Sequence, residues 1–250
     1  MTPQARPFMQ VDVFPSEHVP LSGNPLAVVV SSQGLSTEDM QKFASWTNLS
    51  ETTFLLPPSD ASKADYKVRI FTVARELPFA GHPTLGSCKA WLQQGGKPRK
   101  SGNIVQECGI GLVTIKLEET TGRLSFAAPE FIREGEIPAS DLENICHAMR
   151  ISTGDVLASR WIDNGPGWAG LILKSAQDVL DIKTSHINQA RGINWGVIGA
   201  YSKAQKYIHK TGGESVVIGE SEDDDSPHFE LRAFCPAETF VEDPVTGSLK

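Results

Sequence analysis

The sequence has no apolar run long enough to cross a bilayer. Its longest aliphatic stretch, Leu26 to Val30, has five residues, against the roughly 20 that a spanning helix needs. Met1 to Gln10 have Arg6 but no apolar stretch behind it, so they do not read as a secretory signal. Basic residues are the minority, 23 Lys plus Arg against 30 Asp plus Glu for a formal net charge of −7, and they cluster only at Lys97-Pro98-Arg99-Lys100. That balance argues against a nucleic-acid groove. The four cysteines, Cys88, Cys108, Cys146 and Cys235, show no Cys-x-x-Cys spacing. A disulfide framework and a structural zinc site are therefore not expected, and a reducing cytoplasm is the compartment that suits the chain. The sequence also lacks a Gly-x-Ser-x-Gly elbow, a Gly-x-x-x-x-Gly-Lys loop and any metal-ligand spacing of His, Cys and carboxylates.

What remains is a globular composition, 40% apolar and 21% charged over 250 residues. That length holds one large domain or two lobes of about 120 residues, each able to bury a core. Strands are expected at Phe8 to Phe14, Leu26 to Val30, Thr52 to Leu56, Tyr66 to Phe71, Ile104 to Gln106, Gly111 to Leu117 and Arg123 to Ala127. Ser22 to Pro25 reads as a turn. Helices are expected from a Ser36 cap to about Asn48 and over Thr84 to Gln94. Further on, a Ser140-capped helix over Asp141 to Met149 and helices at Ala176 to Ile182 and Ser185 to Arg191 alternate with strands at Trp161 to Ile162, Ala169 to Leu173, Gly196 to Tyr201, Ser215 to Gly219 and Phe229 to Phe234. The acidic run Glu222 to Asp225 reads as a solvated hairpin loop.

Two segments match each other. Arg69-Ile70-Phe71 followed by His82-Pro83-Thr84-Leu85-Gly86-Ser87 parallels Arg232-Ala233-Phe234 followed by Asp243-Pro244-Val245-Thr246-Gly247-Ser248. Each is a strand ending Arg-x-Phe, then a loop, then x-Pro-x-x-Gly-Ser, which indicates duplication. Proline suits the start of a helix because its missing N–H has no partner there. Pro83 and Pro244 are thus expected to open helices, with Asp243 as a natural N-cap and His82 as a poor one. Small residues in the first turn, Gly86-Ser87 and Gly247-Ser248, leave helix-terminal amides open to an anion. Two such helix starts facing one another would form a cleft for a small carboxylate. The first lobe continues well past Ser87, whereas the sequence given stops two residues after Ser248. By analogy, roughly 30 to 40 further residues are expected to complete the second lobe.

These motifs resemble the phenazine-biosynthesis PhzF-like proteins, relatives of diaminopimelate epimerase. The resemblance rests on Asp12-Val13-Phe14, Gly23-Asn24-Pro25-Leu26-Ala27-Val28-Val29, Asn48 to Phe54 and Arg69 to Thr72. Its most specific blocks are Glu76 to Thr84 and Glu242 to Ser248. It implies an α+β fold of two pseudo-symmetric lobes, divided here at 1–122 and 123–250. Each lobe would be a mixed sheet rolled round a central helix, with the second incomplete. It further implies a homodimer and an isomerase that uses neither metal nor organic cofactor. By the same resemblance Glu51 would be the general acid/base. His82 and Asp243 would position substrate and assist proton movement, and Ser50, Gly81, Gly247 and Ser248 would contact the substrate. The substrate would be a small anionic metabolite, with neither nucleic acid nor membrane as partner.

Read for themselves, the residues set further terms. A lone Glu is ordinarily a solvated residue; Glu51 becomes a candidate because it lies between a helix and a strand, where sites are often built. Burial against Phe54 and Phe79 would let it hold a proton. A helix N-terminus beside His82 disfavours imidazolium, so a neutral ring is expected. Related racemases use two thiols at the positions of His82 and Asp243. This chain has none there, which favours one carboxyl moving a proton along one face. Ser87 or Ser248 with His82 and Asp243 would make a hydrolase only outside any known elbow. The rival from another class is a non-catalytic metabolite-binding or scaffold protein that keeps the cleft.

Overall fold

Runs rich in β-branched and aromatic residues in the first half become strands. In the computed structural model these are β1 (Phe8–Val13), β2 (Asn24–Val29), β3 (Thr52–Leu56), β4 (Tyr66–Phe71), β5 (Glu76–Leu77), β6 (Asn103–Cys108), β7 (Gly111–Leu117) and β8 (Leu124–Phe126). Helix α1 (Thr37–Thr47) lies between β2 and β3, and α2 (Gly81–Gln93) follows β5. The structure describes residues 5–15, 19–127, 130–164, 167–190, 192–201, 208–211, 215–218, 227–236, 241–243 and 246. The eight strands form one mixed sheet in the order β1-β2-β3-β4-β6-β7-β8, with β5 paired to β4. The pairs β2–β3 and β4–β6 are parallel.

The two helices take opposite faces of this sheet. α1 starts where the Ser36 side chain accepts from the Asp39 amide, and it ends at Asn48 in the left-handed conformation. Its buried Met40 and Ala44 pack on Val29, Phe54 and Phe71. α2 packs with Leu26, Val28, Val68 and Ile70 on the other face. It touches β1 at one edge of the sheet and β8 at the other, so the sheet curls round it. Gly86 permits this close seat, since a Cβ there would come within 2.5 Å of Leu26 Cδ2 and 2.8 Å of Val13 Cγ2. Buried hydroxyls and an amide set its rotation. Tyr66 Oη donates to Gln106 Oε1 at 2.9 Å, Gln106 Nε2 donates to Thr84 Oγ1 at 3.1 Å, and Ser87 Oγ donates to Thr53 Oγ1 at 2.8 Å. Each partner answers a polar group that would otherwise be left unpaired in the core.

The β4–β6 pairing is braced at its rim. Lys67 Nζ lies 2.8 Å from Glu107 Oε1, and the Ser59 amide and hydroxyl each donate to the same carboxylate at 2.6 Å. The Lys67 hydrogen bond, with those from Ser59, holds the Glu107 carboxyl down at about 2, against an ordinary value of 4.5. A carboxyl depressed on folding adds stability above its unfolded value, and that increment fades as pH falls towards the folded one. Lys67→Met should therefore cost about 0.2–1 kcal/mol near neutrality. The gap to the wild type, followed by urea unfolding, should close between about pH 4.5 and about pH 2.

The second half contains β9 (Arg133–Gly135), α3 (Ala139–Met149), β10 (Val156–Asp163), β11 (Trp168–Leu173), α4 (Ala176–Leu180) and β12 (Asn194–Ala200). The hairpin β13 (Ile208–Thr211) and β14 (Ser215–Ile218) follows, then β15 (Phe229–Phe234) and β16 (Glu242–Asp243). Six strands pair in the order β16-β15-β12-β11-β10-β9. Ile145, Ala148 and Met149 of α3 and Val179 of α4 pack on Leu171, Val197 and Phe234.

The duplication is visible in the registers. β1-β2-β3-β4-β5 and β10-β11-β12-β15-β16 run through the same sequence of antiparallel, parallel, antiparallel and antiparallel pairs. The row Gln10, Ala27, Thr52, Phe71, Glu76 matches Trp161, Ala169, Trp195, Phe234, Glu242. Each row closes on a two-pronged ion pair. Arg69 donates to Glu76 at 2.7 and 2.6 Å, and Arg232 donates to Glu242 at 2.7 and 2.8 Å.

Several expectations change. The chain divides into compact units near residue 130 rather than after 122, because β8 completes a hairpin with β7. Asn24 and Pro25 belong to β2, not to a turn. α2 begins at Gly81, three residues before the expected Thr84, with Ala80 at its N-cap. Pro83 is tolerated there as a third-position residue because the first-turn amides lack intrahelical partners. Pro138, not Ser140, occupies the N-cap of α3, and residues 184–189 form a 3-10 helix. Asp243 ends β16 opposite Ala233, the place Leu77 takes opposite Ile70. The helix expected at Pro244, the acidic run Glu222 to Asp225, and Gly247 and Ser248 lie outside the described residues.

Candidate active site

Glu51 sits between the left-handed Asn48 that ends α1 and the first residue of β3. His82 is the second residue of α2, buried in its first turn. The curled sheet brings them together, with His82 Nδ1 2.8 Å from Glu51 Oε2 and side-chain exposures of 4% and 15%. The other ring nitrogen, Nε2, lies 3.1 Å from the backbone oxygen of Asn24, at the start of β2. A carbonyl oxygen only accepts, so Nε2 carries hydrogen. Nδ1 then faces a carboxyl oxygen, and that contact needs one proton, on the ring or on Glu51. The expected neutral ring is one of these two arrangements, the one with the proton on the carboxyl.

Ser50 and Gly81 are the chain neighbours of this pair, and Gly81 is buried. Thr84 N bonds to Ala80 O at 3.2 Å as the first intrahelical bond. With proline at 83, only the Gly81 and His82 amides precede it as helix-terminal donors. Phe79 lies in the core cluster round α2, but Phe54 packs with α1 on the opposite face, so it does not wall the carboxyl as expected. In the second unit Asp243 is half-buried, and Thr246 Oγ1 donates to its Oδ2 at 2.7 Å. The Asn24 carbonyl was not foreseen from sequence, because every residue carries one.

Competing chemistries find little support here. Ser87 is fully buried and its hydroxyl is committed to Thr53, so it is no nucleophile for His82. Among the described residues no group of three or more His, Cys, Asp or Glu is placed to hold a metal ion. All four cysteines are free and buried. Burial pushes the Cys88 thiol up to about 12 and Cys146 to about 11, so neither supplies a thiolate near neutrality. Iodoacetamide at pH 8 should leave the native protein unlabelled while the urea-unfolded chain takes up label at all four cysteines; labelling of native Cys88 would contradict this burial.

A duplicated mixed-sheet motif, curled in the first unit round a buried helix whose first turn sets an imidazole against the Glu51 carboxyl, defines an α+β protein of the pseudo-symmetric class. The chain belongs to the PhzC-PhzF family of phenazine biosynthesis-like proteins, whose model matches residues 11–250. It is 37% identical over 248 residues to the Schizosaccharomyces pombe protein named antisense-enhancing sequence 1, covering 96% of this chain and 76% of that one. It is 42% identical over 117 residues to the trans-2,3-dihydro-3-hydroxyanthranilate isomerase of Pseudomonas aeruginosa, covering 47% of this chain and 39% of that enzyme. The fold matches the Bacillus anthracis phenazine biosynthesis protein of the PhzF family, with a TM-score of 0.67 at 22% identity over 96% of this chain and 75% of that one. No helix among the described residues is long and apolar enough to cross a membrane.

Proposed function

We propose that this chain is an isomerase that moves a proton on a small carboxylate-bearing metabolite by general acid/base catalysis, without metal or organic cofactor. The observation that supports this most is the chain Glu51–His82–Asn24. One proton shared between a carboxyl and an imidazole, with the far ring nitrogen tied to a carbonyl, suits a group that must accept and return hydrogen. His82 holds Glu51 Oε2, which leaves Oε1 to exchange a proton with the substrate. The proton leaves an acidic C–H for Oε1 and returns to another carbon of the same molecule, so atoms and charge balance. The Gly81 and His82 amides at the head of α2 suit the substrate carboxylate. To Asp243 we assign substrate positioning, with Ser50, Gly247 and Ser248 as further contacts, in a protein that acts as a homodimer.

The name of the Pseudomonas aeruginosa relative makes trans-2,3-dihydro-3-hydroxyanthranilate the first compound to try. It should be incubated with the protein in D₂O beside a panel of small carboxylates with acidic C–H bonds. The expected result is deuterium at one carbon of one compound, with part of the abstracted hydrogen returned to product. Binding of a carboxylate with no exchange at any carbon would instead support a metabolite-binding or scaffold protein.

A further inference from the structure

We propose that Asp12 is a positioning residue for the Glu51–His82 pair, acting through the loop between β1 and β2; the proposal rests on the reading of that pair given above. Asp12 Oδ2 accepts from the Leu21 amide at 2.7 Å and Oδ1 accepts from the Gly23 amide at 2.9 Å. Leu21 is 88% exposed and holds a left-handed backbone, φ +62°, which side-chain-bearing residues rarely adopt. Gly23 is seated so tightly that a Cβ there would lie 2.2 Å from the Val13 oxygen. The next residue, Asn24, is fully buried, and its oxygen receives His82 Nε2. The path thus runs from the Asp12 carboxylate to the Gly23 amide, the Asn24 carbonyl, the imidazole and Glu51. Holding that carbonyl in place holds the hydrogen on Nε2, and so keeps Nδ1 turned to the carboxyl.

The second unit contains a comparison built by the same duplication. Asp163 corresponds to Asp12 by register, and its Oδ1 accepts from the Gly167 amide at 2.7 Å. The clamp is therefore a shared feature of the hairpin, and in the first unit it has been joined to a functional side chain.

The test uses the whole protein without substrate, with histidine labelled by ¹⁵N, so its outcome does not depend on catalysis by Glu51. In the wild type the His82 ring should show a slowly exchanging Nε2–H. Asp12→Asn keeps the shape but turns an amide group towards a backbone N–H. It should release that hydrogen to solvent exchange and shift both ring nitrogens, while Asp163→Asn leaves the His82 signals as they are. Unchanged His82 signals in Asp12→Asn, or equal shifts in both variants, would overturn the proposal. If Asp12→Asn does not fold, Asp12→Ser, which retains one short acceptor, is measured in the same way with the same expected loss. Once a substrate is in hand, Asp12→Asn should also slow its exchange on the order of tenfold through misplacement of the pair. Full exchange by Glu51→Gln would instead defeat the catalytic reading and leave the His82 signals to decide the role of Asp12.

Discussion

Glu51→Gln should lower hydrogen exchange by about 10²- to 10⁴-fold, the range over which a positioned acid/base group contributes, and should leave the fold intact. The reason lies in the contact with His82, where Nδ1 and Oε2 are 2.8 Å apart. A glutamine amide can still donate to Nδ1 of a neutral ring, so the pair remains joined and α2 keeps its seat. What it cannot do is accept a proton from carbon and give it back. Circular dichroism and thermal unfolding should match the wild type while deuterium uptake falls. A Gln variant with wild-type uptake excludes Glu51 as the acid/base, and one that fails to fold marks the pair as structural.

Phe54→Ala should destabilise the first unit by about 3–5 kcal/mol, the cost of emptying a fully buried aromatic site. Phe54 is entirely shielded and sits between two rings, 5.4 Å from Phe71 in an edge-to-face arrangement and 6.1 Å from Phe43 of α1. Neither neighbour can collapse into the void without moving α1 against β3 and β4. The chain from Asn48 to Glu51 joins that helix to that strand, so the carboxyl should lose its place as well as the unit its stability. Urea unfolding followed by intrinsic fluorescence measures the first effect and deuterium uptake the second. A loss below about 1 kcal/mol would show that the cavity refills and that α1 is not anchored by this ring.

The parts of the fold legible in the sequence are those whose pattern is local. β3, β4, β7 and β15 occupy the expected ranges because β-branched and aromatic runs there are bounded by prolines, glycines and turns. α1 was legible from Ser36 and its acidic first turn. The two-residue strands β5 and β16 were not, since two residues cannot show a period; tertiary pairing and an Arg–Glu ion pair define them. The start of α2 was misplaced because no side chain caps it. The nearness of Glu51 and His82 follows from how the sheet curls, and only the family resemblance suggested it. The mate of Glu51 was hidden too. Register places Asn194, one residue before Trp195, where Glu51 stands one residue before Thr52, and no sequence match links the two.

The duplicated halves share a hydrogen-bond pattern but not a packing volume. On the face that receives α2, the central row of the first sheet is Val28, Thr53 and Ile70; the corresponding row of the second is Gly170, Gly196 and Ala233. A helix shaped for one floor would leave voids on the other or collide with it. Seating a helix of one half on the sheet of the other, a hazard whenever a motif is written twice in one polypeptide, is thereby penalised by side-chain size alone.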